Sequence, residues 1–181
     1  MPVSRSTHSD FEALAIAHLD SAYNLARWLV RDPTLADDVV QDAMLRALKY
    51  FPGFRGDNAR AWVLQIVRNV ALTRLKGGAV AQAAAAPETA DELDVAVLSR
   101  IPNTSPEPEA TLMREDDERL VQRLLAAVPV ELRECLVLRE IEELSYKEIA
   151  RIVDVPVGTV MSRLWRGRKL LAEAAAGVEQ S

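Results

Sequence analysis

With 181 residues the chain has room for one domain or two small ones, and its net charge of −5 argues against a protein that coats nucleic acid nonspecifically. A single cysteine, Cys135, and two scattered histidines, His8 and His18, exclude a disulfide framework and suggest no metal site, so a reducing, cytoplasmic setting is expected. No apolar run approaches the length of a membrane span and the N-terminus shows no signal-peptide core, so no direct membrane insertion is expected.

Nearly everything patterned along the chain is helical. The first helix is expected from about Asp10 to Arg31, with Ser9 and Glu12 as a capping box. Its apolar face is formed by Phe11, Leu14, Leu19, Ala22, Tyr23, Ala26 and Leu29, and Trp28 is expected to pack as well. Asp32 and Pro33 stop this helix and start the next, Asp32 as N-cap and Pro33 at the first helical position. The second helix runs to about Tyr50 and is apolar along Val39, Val40, Ala43, Ala47 and Leu48. Beside that face, Asp38, Gln41, Asp42 and Leu45 recur at i, i+3, i+4 and i+7, making a mostly polar, acidic stripe. Such a stripe is either a solvated helix side or a docking face for a basic partner.

A short loop from Phe51 to Gly56 leads to a third helix, about Asn58 to Lys76, ended by Gly77-Gly78. Tyr50, Phe51, Phe54, Arg55, Arg60, Trp62, Arg68, Asn69 and Arg74 interleave rings with arginines. That mixture suits single-stranded nucleic acid, where bases stack on rings and guanidinium groups hold phosphates. Trp62 lies with Ala61, Ile66 and Val70 on an inward face, whereas Phe51 and Phe54 fit either core or binding.

The character then changes. Residues 78–108 hold an alanine run, acids and Pro87, Pro102, Pro106 and Pro108, and read as a flexible linker with room for a short helix around Asp91–Ser99. Acid is concentrated from Glu88 to Glu118, while Arg55–Lys76 and Arg163–Lys169 are basic, so any DNA contact is local and conditional. Helices resume over Glu109–Ala127 and Val130–Ile141, with Cys135 in the core. The final pattern is two short helices around a tight turn, from Leu144 to Leu171. Ser145 and Glu148 form a capping box, Ile149, Ala150 and Ile152 an apolar side, and Asp154-Val155-Pro156 the turn. The second helix starts near Val157 and carries Arg163, Arg166, Arg168 and Lys169 with no acid among them, over an inward face of Val160, Leu164 and Leu170–Leu171. Trp165 is expected to pack beside that face. A helix-turn-helix of this kind pushes its second helix into the major groove, and Gly158 and Thr159 at its start allow close approach to a phosphate.

Taken together, the motifs resemble one family. In the N-terminal half they are Ala36-Asp37-Asp38-Val39-Val40-Gln41-Asp42, Phe54-Arg55-Gly56 and Ile66-Val67-Arg68-Asn69. In the C-terminal half they are Leu144-Ser145-Tyr146-Lys147-Glu148-Ile149-Ala150, Pro156-Val157-Gly158-Thr159-Val160 and Ser162-Arg163-Leu164. In this order and spacing the chain resembles the extracytoplasmic-function (ECF) group of bacterial sigma factors, in the sigma-70 family. The resemblance implies an all-α protein of two small helical domains joined by a flexible linker: region 2 over residues 1–77, the linker over 78–108, region 4 over 109–175 and a tail over 176–181. It implies that Asp37, Asp38, Gln41, Asp42 and Leu45 dock on the β′ clamp helices of core RNA polymerase. It implies that Tyr50, Phe51, Phe54, Arg55, Arg60, Arg68 and Asn69 meet the −10 element of promoter DNA, capturing a flipped base. Gly158, Thr159, Ser162, Arg163, Arg166 and Lys169 would then read the −35 element, and an anti-sigma factor would control the protein.

One departure stands out. The position of Met161 is often basic in that group, and a thioether cannot hold a phosphate, so the preferred promoter sequence is expected to differ. The rival reading is a stand-alone helix-turn-helix regulator of response-regulator type, which leaves the N-terminal half unexplained. No nucleophile–base pair or glycine-rich phosphate loop is present, so neither an enzyme nor a cofactor nor a small-molecule substrate is expected.

Overall fold

Two residues separate the first two helices of the chain, and both are set by local chemistry. The first helix, α1, spans Arg5–Val30. It stops because Arg31 turns left-handed, at φ 62°, while its amide still donates to the Arg27 carbonyl at 2.9 Å. Asp32 then caps the second helix, α2 (Pro33–Tyr50), its Oδ1 accepting from the Leu35 amide at 3.0 Å with Pro33 in the first turn. This junction is the one expected from Asp32-Pro33. The start of α1 is not: the helix begins before Ser9, so Ser9 lies inside it and cannot cap it. Thr7, His8 and Ser9 continue the helix because nothing in them breaks it, and Phe11 and Ala15 supply buried contacts at the N-terminal end.

The structure is a computed structural model that describes residues 5–77 and 111–179, with side chains described over 8–77 and 117–177. The expected linker over 78–108, including its short helix around 91–99, and the end of the tail lie outside the described residues. The chain divides into two compact units, within 1–102 and 103–181. Every described element is a helix, and among the described residues there is no strand.

In the first unit, a single 3-10 turn (Phe51–Gly53) links α2 to α3 (Ala59–Gly77), and each of α1, α2 and α3 packs on the other two. Asn58 caps α3, its Oδ1 accepting from the Ala61 amide at 2.9 Å. Phe11, Leu25, Leu29, Val39, Met44 and Leu64 are completely enclosed between them. Each such side chain contributes about 1.5–3 kcal/mol of burial. The five residues expected as the apolar side of α2 are all buried, joined by Ala36 and Met44.

The second unit comprises α4 (Thr111–Ala126), α5 (Val130–Leu136), α6 (Tyr146–Val153) and α7 (Val157–Glu179). After Leu136, α5 widens to π geometry over Val137–Ile141, where the Glu142 amide reaches the Val137 carbonyl at 3.1 Å. Arg133 is buried, yet both ends of its guanidinium are used. Nε donates to the Leu125 carbonyl and Nη2 to the Val128 carbonyl, each at 3.1 Å, satisfying carbonyls released at the end of α4. The capping box at α6 is present as expected, with Ser145 and Glu148 exchanging bonds of 2.8 and 3.2 Å. Asp154, left-handed at φ 56°, ends α6 and starts the turn.

Helices α5 and α7 touch at Gly167. A Cβ on Gly167 would stand 2.9 Å from Leu136 Cδ1 and 3.0 Å from its Cγ, and Leu136 is enclosed and has nowhere to go. Gly167→Ala is therefore expected to lower the stability of the second unit. Overpacking costs about 1–3 kcal/mol, which outweighs the roughly 1 kcal/mol that alanine gains over glycine in a helix. Urea denaturation followed by hydrogen exchange in α5 and α7 checks this; a stabilised second unit would mean that Leu136 moves aside.

Candidate nucleic-acid interface

Helix α7 has two sides of opposite character. Val160, Leu164 and Gly167 face inward and are buried. Gly158, Met161, Ser162, Trp165, Arg166 and Lys169 recur at helical spacing on the other side, and all are exposed. Thr159 is half-buried. Among the described residues nothing lies within 4 Å of a Cβ built on Gly158, so none of them demands glycine there.

The basic residues of α7 do not all point the same way. Arg163 Nη1 donates to Glu134 Oε1 of α5 at 3.1 Å, and Glu134 is wholly buried. Arg168 binds Glu140 Oε1 through Nη2 at 2.6 Å and Nε at 2.9 Å. Arg166 and Lys169 stay on the exposed side, where the Lys169 ammonium sits 5.7 Å from the centre of the Trp165 ring. Trp165 itself is 65% exposed, which corrects the expectation that it packs. One step beyond Leu164 the helix has turned about 100°, away from the core, and the inward line is filled by Leu164 and Gly167.

In the first unit the aromatic loop is ordered by ring contacts. Phe51 packs edge-on against Phe11 with ring centres 5.6 Å apart, and Phe54 stacks on Trp62 at 4.6 Å and 29°. Both rings, left open between core and binding in the sequence, thus make contacts within the unit. Trp62 is half-buried rather than enclosed. Arg55 folds back over the loop, its Nη1 donating to the Pro52 and Phe54 carbonyls at 2.9 and 3.0 Å. Tyr50 is 59% exposed. Arg60 Nη2 reaches Ser21 Oγ of α1 at 3.3 Å, and partial burial, then the Arg60 charge, lowers the pKa of His18. Arg68 Nη1 donates to Asn69 Oδ1 at 3.3 Å, and Asn69 is exposed.

On α2, Asp37, Asp38 and Gln41 are exposed, while Asp42 and Leu45 are half-buried. Asp42 has cations on two helices: Arg46 Nε at 3.1 Å along α2 and Arg74 Nη2 at 3.7 Å on α3. It ties α2 to α3 as well as belonging to the acidic stripe.

The chain thus pairs a helical unit carrying a loop of rings and arginines with a second unit that contains a helix-turn-helix. Comparison with known proteins specifies it further. The sequence matches Sigma-70 region 2 over residues 14–79 and Sigma-70, region 4 over residues 118–171. It is 32% identical to the RNA polymerase sigma-H factor of Pseudomonas aeruginosa over 176 residues, 95% of this chain and 89% of that one. It is 37% identical to the ECF RNA polymerase sigma-E factor of Escherichia coli over 142 residues, 74% of this chain and 70% of that one. The chain belongs to the ECF group of the sigma-70 family. The fold is shared with the sigma factor RpoE of Bartonella quintana, solved with the anti-sigma factor NepR, at TM-score 0.64 and 23% identity over 92% of this chain and 97% of that one. It is shared also with CnrH, solved with the cytosolic domain of CnrY, at TM-score 0.62 and 22% identity over 95% and 94%. The region 2 match accounts for the N-terminal half that the response-regulator reading leaves unexplained.

Among the described residues no helix is long and apolar enough to cross a membrane. Two features of the site are not legible in the helical periodicity, the ion pair of Arg163 with Glu134 and the exposure of Trp165. Glu134 carried the signal for the first. It is an acid within the otherwise apolar run from Leu132 to Leu138 apart from Arg133, and an acid placed there needs a cation.

Proposed function

We propose that this chain performs the work of a sigma factor through three separate surfaces. The exposed acidic stripe of α2, Asp37, Asp38 and Gln41 with Asp42 and Leu45 at its edge, docks on the β′ clamp helices of core RNA polymerase. The loop and α3, through Tyr50, Phe51, Phe54, Arg55, Arg60, Arg68 and Asn69, take the −10 element. For the rings this requires release of Phe54 from Trp62 or use of the edges left outside. The outward side of α7, Gly158, Thr159, Ser162, Arg166 and Lys169, reads the −35 element together with Arg163, which sits at its edge and is tied to Glu134. Residues 1–77 and 109–175 are the two working domains and 78–108 the linker. The chain recruits rather than catalyses, acts in the cytoplasm, and is held by an anti-sigma factor when inactive.

The observation that carries this reading is the sorting of charge on α7. Two of its arginines meet acids of the same unit, while Ser162, Arg166 and Lys169 share one exposed side at the spacing of a groove-facing helix. Run-off transcription with purified core polymerase on a library of promoter sequences tests it. Discrete transcripts dependent on the chain are expected, and core polymerase left as unselective as without it would overturn the reading.

A further inference from the structure

We infer that Met161 reads the methyl group of a thymine in the upstream promoter element, and so sets part of the promoter preference of this chain. The inference rests on the reading of α7 as the −35 helix. Met161 is 54% exposed on the side of α7 that carries Ser162, Arg166 and Lys169. It is the fifth residue of the helix, about 6 Å along the axis from the first at 1.5 Å per residue. That is the end from which a recognition helix reaches base edges.

A thioether donates no hydrogen bond and carries no charge, so it can neither pair with a guanine edge nor hold a phosphate. The apolar feature of the major-groove floor is the thymine C5 methyl. An unbranched, polarisable side chain can adapt its shape to that methyl. Arg163 does not compete for the same base, because its guanidinium lies on Glu134 at 3.1 Å. Trp165, one turn further on and covered in part by the Lys169 ammonium, continues the apolar line. Met161 and Trp165 are about 6 Å apart along the helix, close to two base-pair steps of about 3.4 Å.

The test uses the full chain assembled with core polymerase and a promoter recovered by run-off selection. Each thymine of the upstream element is replaced in turn by deoxyuridine, which removes the methyl and nothing else. At one position the wild-type complex is expected to lose about fourfold in affinity, the worth of one buried methyl. Met161→Ala should bind the thymine duplex about as weakly as the wild type binds the deoxyuridine duplex, and should not distinguish the two. Met161→Leu, which stays apolar, should retain part of the discrimination. Because the side chain is exposed, these variants are expected to melt like the wild type. If Met161→Ala keeps the full deoxyuridine penalty, or if no thymine is methyl-sensitive while transcription is intact, the inference fails alone. Loss of binding to a protein partner with DNA binding unchanged would also overturn it. A chain that selects no promoter at all overturns the sigma reading and this inference with it.

Discussion

Arg163→Ala is expected to destabilise the second unit by about 3–5 kcal/mol, the cost of breaking a buried ion pair by removing one partner. The pair qualifies by its surroundings. The Glu134 side chain is 1% exposed and that of Arg163 18%, so a buried carboxylate loses one of its partners. The Arg168–Glu140 pair makes the contrast. Its bonds are no longer, but both side chains are about half exposed, and breaking it is expected to cost less than about 1 kcal/mol. Denaturant unfolding of the full chain, read through hydrogen exchange in α5 and α7, measures the difference. Replacing both partners by apolar residues of similar volume, Arg163→Met with Glu134→Leu, should restore most of the loss.

The same substitution separates two roles for Arg163. A residue that fixes the recognition helix from behind loses stability first and promoter binding as a consequence. A residue that contacts phosphate leaves the unit stable and lowers the salt dependence of binding by about one ion. Unchanged stability with a shallower salt slope would place Arg163 on the proposed DNA surface beside Arg166. Lost stability, with binding recovered in the apolar double variant, would leave it as a positioning residue.

Local rules made most of the fold legible. Asp32-Pro33, Ser145 with Glu148, and Asp154 to Pro156 are boundaries written within three or four residues, and the helices begin and end there. Periodicity placed the buried sides of α2 and α7, since every third or fourth residue must face the same way. Ser9 and Glu12 show the limit. A capping box is a pattern of residue types, and the same types continue a helix when the preceding turn is helical too. The outward or inward turn of a basic residue is a different matter. It depends on which acid another helix brings opposite, and Glu134 and Glu140 stand 29 and 28 residues from their partners. Periodicity within α7 contains no trace of either. Trp165 was misjudged for a related reason: large rings are usually buried, but its position on the helix, not its size, decides its side.

Asp38→Arg combined with Gln41→Ala is expected to abolish binding to core polymerase while leaving the first unit folded. Both side chains are exposed, and the buried residues of α2 lie on its other side, so neither change touches the core. Opposite a basic partner the new arginine puts like charge against like, and the alanine removes an amide that can bond. Loss of a desolvated charge contact at an interface costs about 2–5 kcal/mol, more than tenfold and up to some thousandfold in affinity. Asp42 serves as the internal comparison. Its carboxylate already meets Arg46 and Arg74, so Asp42→Ala is expected to loosen the tie between α2 and α3, by less than about 1 kcal/mol for such part-exposed pairs. Its effect on polymerase binding should be smaller than that of the double variant. A pull-down of core polymerase with each variant, beside a thermal melt, reads both quantities. If the double variant binds core as the wild type does, the docking face is not on α2. If it fails to bind and melts unchanged, the acidic stripe is an interface rather than a solvated side, which composition and spacing left undecided.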